Sequence, residues 1–244
     1  ALSDLDLYGL SLTMSYDFDA FAIKSITAYR SFESTFGRDS DNSPFVVVET
    51  FDDMEQDQFS QELQFSGQAI DSRLDWLFGA YYFHEKGDNL NLVRTAVLDI
   101  QSGGSVKNKS WAAFGHLSFD VTEKFRLNLG VRYTDEKKRF TPDQQVFFND
   151  FTMPLFGGAG FTDGQRILPF QEYERSFSDF SWTGGMDYHW NDDFMTYVSY
   201  SEGFKSGGFN QRVFPPRTEP GSFDPERVAV YELGWKWSNP EKTI

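Results

Sequence analysis

From Phe125 to Tyr133 the chain alternates without a break. Phe125, Leu127, Leu129, Val131 and Tyr133 fall on one face of an extended strand, while Arg126, Asn128, Arg132 and Thr134 fall on the other. Nine such residues, tilted, are about enough to cross a hydrocarbon core. The charged run Asp135, Glu136, Lys137, Lys138 and Arg139 then stands outside it. Nine segments of about a dozen residues follow one another along the chain, and most repeat this pattern. They are joined in turn by short and long connections. The short turns fall at Asp17 to Asp19, Ala69 to Arg73, Val121 to Lys124 and Asn191 to Asp193, with a fifth beginning at Asn239-Pro240. The long excursions fall at about 34–54, 87–107, 140–174 and 206–226. Such asymmetry is expected of an antiparallel, up-and-down transmembrane β-barrel with short periplasmic turns and long outer loops.

Other segments sort their side chains the same way. Phe59, Leu63 and Phe65 oppose Ser60, Glu62, Gln64 and Ser66, and Tyr231, Leu233, Trp235 and Trp237 oppose Val230, Glu232 and Lys236. Near the start, Tyr8, Leu10, Leu12, Met14 and Tyr16 oppose Gly9, Ser11, Thr13 and Ser15, while Lys24 and Arg30 share the parity opposite Phe21, Ile23 and Tyr29. A lipid-facing Lys or Arg at mid-bilayer costs about 2–4 kcal/mol, so charge sorting of this kind has a physical cause. Leu74 to His84 is apolar on both faces. We place Leu74, Trp76, Phe78, Ala80 and Tyr82 outward, and likewise Trp111, Ala113, Leu117 and Phe119, leaving Phe114 and His116 inside. A plugged lumen accommodates Phe114 better than a water-filled one.

Composition supports spanning by strands. The 27 Phe, 11 Tyr and 6 Trp exceed what one globular core normally holds, whereas a barrel uses aromatics in its lipid belt and interface girdles. Mean hydropathy is −0.50, and the longest aromatic-rich apolar run, Trp76 to Phe83, is far short of the roughly 18 residues of a membrane helix. No cysteine is present, which removes disulfides and Cys-based metal sites. The net charge of −15 argues against nucleic acid. Seven acidic residues, Asp39, Asp41, Glu49, Asp52, Asp53, Glu55 and Asp57, crowd the first excursion against Arg38 alone and read as a solvated loop.

The run Tyr197-Val198-Ser199-Tyr200-Ser201-Glu202-Gly203-Phe204-Lys205-Ser206-Gly207-Gly208-Phe209-Asn210 resembles the barrel of TonB-dependent outer-membrane receptors, in particular those for iron complexes. Phe59 to Phe65, Trp76 to Phe83, Leu129 to Thr134 and Tyr231 to Gly234 are similar to the same family in its usual order, so the resemblance spans nearly the whole chain. It implies a barrel of about 22 strands filled by an N-terminal plug. Residues 1–244 would then be a partial barrel domain of nine to ten strands, lacking the plug, the TonB box and the C-terminal strands. The absence of an export signal before Ala1-Leu2-Ser3-Asp4 and the close at Thr243-Ile244, just past a turn, make both ends read as cuts. Gly203, Gly207 and Gly208 suit a strand leaving the rim through conformations or approaches closed to other residues, and Lys205 on the inner parity faces the plug.

The resemblance implies an importer in the bacterial outer membrane that takes up a scarce nutrient, foremost a ferric siderophore, by TonB-energised transport. Its partners would be outer-membrane lipid, its own plug, the TonB complex and the ligand. No enzyme activity and no cofactor are expected. His84, His116 and His189 stand one to a strand region without a nucleophile motif, Gly157-Gly158-Ala159-Gly160 lacks the Lys-Ser/Thr of a phosphate loop, and Asp39-Ser40-Asp41-Asn42 lacks the Gly and Glu of a calcium loop. Ligand contact would fall to outer loops. The candidates are Phe147, Phe148, Phe151, Phe156, Phe161 and Arg166 in the third, with Phe209, Arg212, Phe214 and Arg217 in the fourth, since aromatic and Arg side chains hold an anionic aromatic chelate by stacking and ion pairing. The acidic first loop would repel such a chelate at a distance. Three alternatives stand beside this reading: the same barrel importing cobalamin, an oligosaccharide or a peptide; a passive porin-like channel; and, last, a soluble carbohydrate-binding β-sandwich.

Overall fold

A computed structural model describes residues 2–41, 44–45, 47–96, 98–148, 162–214 and 216–238. The wall is one antiparallel sheet of nine strands in which each strand pairs with the next wall strand along the chain. Its strands are β1 (Leu2–Asp17), β2 (Ala22–Asp39), β3 (Val48–Ala69), β4 (Leu74–Thr95), β5 (Leu98–Thr122) and β6 (Phe125–Pro142). After two short strands, β7 (Gln145–Phe148) and β8 (Gln165–Arg166), the wall resumes with β9 (Tyr173–Asn191) and β10 (Phe194–Lys205). A small hairpin of β11 (Gly208–Phe209) and β12 (Ser222–Phe223) precedes the last wall strand, β13 (Glu226–Trp237). The sheet is an open arc, with β1 and β13 at its edges among the described residues.

Register shows that the two faces are continuous from strand to strand. Directly opposed residues lie on the same face of a sheet. One row runs Tyr16, Ile23, Phe65, Phe78, Gly115, Val131, Trp182. The neighbouring row runs Met14, Ser25, Leu63, Ala80, Ala113, Tyr133, Phe180. Further along, Leu127 meets Met186, which meets Val198, which meets Leu233. Alternation in single segments therefore assembles into one apolar band, and the outward assignments made for β4 and β5 fall on it. These side chains stay exposed, as Leu129 at 48% and Leu233 at 80% show, which in water would be costly and in lipid is favourable.

The opposite face is polar, and it carries the hollow beneath the loops. Arg132 sits over the rings of Tyr81 and Phe114, at 5.7 and 5.6 Å from their centroids. Phe114 in turn covers Gly79 on the neighbouring strand, where any side chain would collide with its ring. An inner aromatic thus has work to do in the wall itself: it fills the place of a missing side chain and presents its face to a cation.

Strand length departs from expectation. The excursions at 34–54 and 87–107 are mostly ladder: β2 and β3 pair to Asp39 and Glu49, and β4 and β5 pair to Arg94 and Asp99. Polar residues on both faces hide such a strand from a search for alternation, yet above the apolar band its backbone still pairs. The first loop shrinks to the turn around Asp41, whose Oδ2 accepts hydrogen bonds from the backbone nitrogens of Val47 and Val48 at 3.2 and 2.8 Å. The four short turns lie where expected. The fifth, at Asn239-Pro240, and the start of a tenth strand lie outside the described residues.

Candidate functional site

The third and fourth connections fold together over the polar face. Strand β5 leaves β6 at Gly104 and takes up β7 from Gln101 onward. The switch passes through Gly103 and Gly104, at φ of +140° and +137°, where a Cβ would run into the carbonyl oxygens of Asn89 and Thr141. Only glycine serves at this junction. Above it lies a conventional apolar core: Phe140, Val146, Ile167, Leu168 and Phe177 are each at most 6% exposed. Buried Gln144 crosses between the loops and donates through Nε2 to the carbonyl of Gln211. Arg217 donates its backbone N–H to Ile167 at 2.8 Å.

Beneath this cap is a hollow of about 440 Å³ between the upper strands and the fourth loop. Small-molecule sites have volumes of about 300–1,000 Å³. Phe209 enters from β11, packed on Phe140 and Tyr173 with ring centroids 6.1 and 6.5 Å away. Arg212 approaches Asp52 of β3 at 3.7 Å. On the opposite wall Glu85 accepts from Asn108 Nδ2 at 2.7 Å and from Gln58 Nε2 at 3.4 Å, and Lys138 reaches Glu136 at 3.9 Å. Rings and both signs of charge thus meet in one concave space.

Of the ten sequence candidates, Phe209 and Arg212 line this hollow. Phe147 and Phe148 instead pair on the outer loop ladder against Asp99 and Leu98. Arg166 ion-pairs with Asp143 at 3.0 Å and stacks on Phe170 at 4.9 Å, a structural role within the third loop. Phe214 and Arg217 are exposed in the fourth loop, away from the hollow's lining. Phe151, Phe156 and Phe161 lie outside the described residues, as does the glycine run at 157–160. Asp52, Gln56, Glu85, Asn108 and Lys138 were missed. Their signal was present, since they continue the inner parity of β3 to β6 past the apolar band.

The glycines of the strongest motif divide. A Cβ on Gly207 would meet the Phe223 carbonyl oxygen and the Phe177 ring, and one on Gly208 would meet the Phe223 ring, so both need close approach. A Cβ on Gly203 would meet only the Val228 carbonyl oxygen, at an ordinary 4.0 Å, so no close approach requires glycine there. Lys205 keeps the inner parity but lies 3.9 Å from Glu226. The three histidines sit on β4, β5 and β9, and His116 contacts Ser118 Oγ at 3.2 Å. Among the described residues no three His, Asp or Glu side chains gather as a metal site.

A family model described as "TonB dependent receptor-like, beta-barrel" matches residues 2–243. Among solved structures, the ferric yersiniabactin uptake receptor FyuA of Yersinia pestis superposes with a TM-score of 0.75 at 18% identity, over 97% of this chain and 33% of that one. The ferric-catecholate import receptor Fiu of E. coli K12, in its closed form, gives 0.73 at 15% identity, over 98% and 39%. The copper transporter OprC gives 0.69 at 12% identity, over 97% and 37%. The chain thus spans between a third and two fifths of the length of these structures.

Proposed function

Because this chain belongs to the TonB-dependent receptor β-barrel family, we propose that it forms part of the wall and outer loops of a bacterial outer-membrane receptor. The cargo is a scarce nutrient, foremost a ferric siderophore, taken up by TonB-energised transport. Outer-membrane lipid surrounds the apolar band, a plug domain occupies the polar face, and the TonB complex acts through that plug. The observation that carries the ligand reading is the hollow under the loop cap, where Phe209 offers a ring and Arg212 a guanidinium beside a polar wall. In the mechanism the loops capture the ligand there, the plug senses it, and inner-membrane proton-motive force opens the path.

A second cargo class is favoured by a specific feature. Asp52 and Glu85 bring carboxylates to the same hollow and oppose Arg212 and Lys138. An anionic chelate would have to displace the Arg212 to Asp52 contact, while a neutral or cationic cargo would not. Cobalamin, an oligosaccharide or a peptide therefore remains the alternative to a siderophore.

Uptake of radiolabelled ferric siderophores by iron-limited cells, with and without the receptor gene and with and without TonB, tests the proposal. Uptake lost in either deletion supports it. Entry that persists without TonB points to a passive channel and contradicts it.

A further inference from the structure

The charges that face the hollow under the loop cap cancel. Asp52 on β3, Glu85 on β4 and Lys138 on β6 carry the inward parity into it, and Arg212 enters from the fourth loop. Glu55, Asp88 and Arg139 border it too, but the register puts them on the outward parity with Phe59, Tyr82 and Leu129. Two carboxylates therefore meet two cations.

Neither cation is free. Arg212 lies 3.7 Å from Asp52, whose Oδ1 also accepts from Asn91 Nδ2 at 2.7 Å, and Lys138 lies 3.9 Å from Glu136. Glu85, in contrast, makes no ion pair among the described residues. Amides hold it instead: Asn108 Nδ2 donates at 2.7 Å, Gln58 Nε2 at 3.4 Å, and Gln56 Nε2 completes the set. Asn89 and Gln211 add further amides to the lining. The hollow thus offers amide groups and one carboxylate without a cation, while each of its cations already has a carboxylate.

An anion entering this space must either sit without a cation, which desolvation opposes, or draw Arg212 off Asp52 and strand that carboxylate. Glu85 repels it in both cases, and the net charge of −15 adds the same bias at longer range. A chelate without net charge meets none of these costs. Its oxygens can accept from the amide N–H groups and from the remaining donors of Arg212, its own N–H groups can donate to Glu85, and its hydrocarbon linkers can pack on Phe209. We propose that the hollow selects an uncharged ferric chelate, in which three singly charged hydroxamates neutralise Fe(III), over a triply negative triscatecholate, with Asp52 and Glu85 as specificity-determining residues. The proposal rests on the siderophore reading given above. The fourth-loop sequence displays Arg212 without its Asp52 partner, and so points to an anionic chelate instead.

The test is a titration of the intact receptor in detergent with an uncharged ferric trishydroxamate and with a ferric triscatecholate, followed by quenching of intrinsic fluorescence. The unmodified receptor should bind the trishydroxamate roughly tenfold more tightly, the worth of one charge-assisted contact. Asp52→Asn keeps an acceptor for Asn91 but releases the Arg212 charge, and it should narrow the ratio of the two affinities roughly tenfold. Asp52→Glu should keep the ratio, and Glu85→Gln should narrow it. Should the Glu85 variant lose the heat-modifiable mobility of the folded barrel, Asp52→Asn alone decides. Equal affinities in the unmodified receptor, a preference for the triscatecholate, or a ratio unmoved by Asp52→Asn overturns the proposal. Phe209→Ala separates it from the siderophore reading. If neither chelate binds, or if Phe209→Ala weakens neither, the hollow is not a siderophore site and both fall. If Phe209→Ala weakens both and the unmodified receptor shows no preference, the charge selection alone is contradicted.

Discussion

The wall and the loop cap handle apolar side chains in opposite ways. Along the wall, Leu10, Trp111, Leu129 and Leu233 are all about half exposed or more, and the interior face is polar. In the cap, Phe140, Val146, Ile167 and Leu168 are at most 2% exposed and pack on one another as in a water-soluble protein. Phe140 sits on the same strand as Leu129, so the inversion takes place within β6 itself. The solvent decides it: lipid surrounds the band, water surrounds the cap, and each region hides its polar or its apolar groups accordingly.

Truncation in the cap should give the largest effect. Phe140→Ala is expected to cost the cap about 3–5 kcal/mol, as buried Phe truncations do. Limited proteolysis should then cut the third and fourth loops readily, while the heat-modifiable mobility of the barrel on a gel stays as before. Loss of the folded barrel itself would mean that cap and wall are one cooperative unit.

Next comes a charge on the band. Leu129→Arg should cost about 2–4 kcal/mol of insertion stability. Its neighbour Asn128→Arg should be tolerated, because Asn128 faces inward beside Asp187, to which it donates at 2.8 Å. Urea titration of the folded barrel in lipid vesicles compares them, and equal costs would erase the distinction between the faces.

A smaller effect is expected where cap meets wall. Arg212 is well exposed at its contact with Asp52, so Arg212→Ala should change stability by less than about 1 kcal/mol. Ligand affinity should nevertheless fall, measured by quenching of intrinsic fluorescence, if the hollow is the binding site. A variant with unaltered affinity would move the site elsewhere in the loops.

The smallest effect concerns pH. Hydrogen bonds from Lys137 and then Arg139 hold the Glu174 carboxyl below its usual range. A depressed carboxylate stabilises above its ordinary pKa and loses that contribution as pH falls through the depressed value. Hydrogen exchange in the upper β6–β9 ladder should accordingly be flat from about pH 8 to about pH 5, apart from the intrinsic rate, and loosen only below the ordinary Glu range near 4.3. Loosening already at pH 6 would show that Glu174 is not paired as described.

Legibility followed the same division. Alternation in Phe125 to Tyr133 exposed the wall because a two-faced environment imposes a period of two. It failed above the band, where β4 runs on through Asp88, Asn89 and Asn91 with polar residues on both faces. In the cap no period exists, so exposure and chemistry were the only guides. They offered Phe209 and Arg212, which line the hollow, and equally Arg166, which is engaged with Asp143 and Phe170. Glu85 and Lys138 were legible only by extending the inner parity past the point where the outer parity stops being apolar. Gly103 and Gly104 gave a plain dipeptide signal, yet their need arises from strands more than 10 residues away on either side.

The account's central claim is that odd positions of lower β6 face lipid and even positions face the lumen. The chain has no cysteine, so single cysteines can be placed at 126–133 of the intact receptor and spin-labelled in lipid vesicles. Relaxation by oxygen, which partitions into hydrocarbon, should be high at 127, 129, 131 and 133 and low at 126, 128, 130 and 132. Accessibility that varies smoothly, or that peaks at the even positions, would contradict the barrel wall described here.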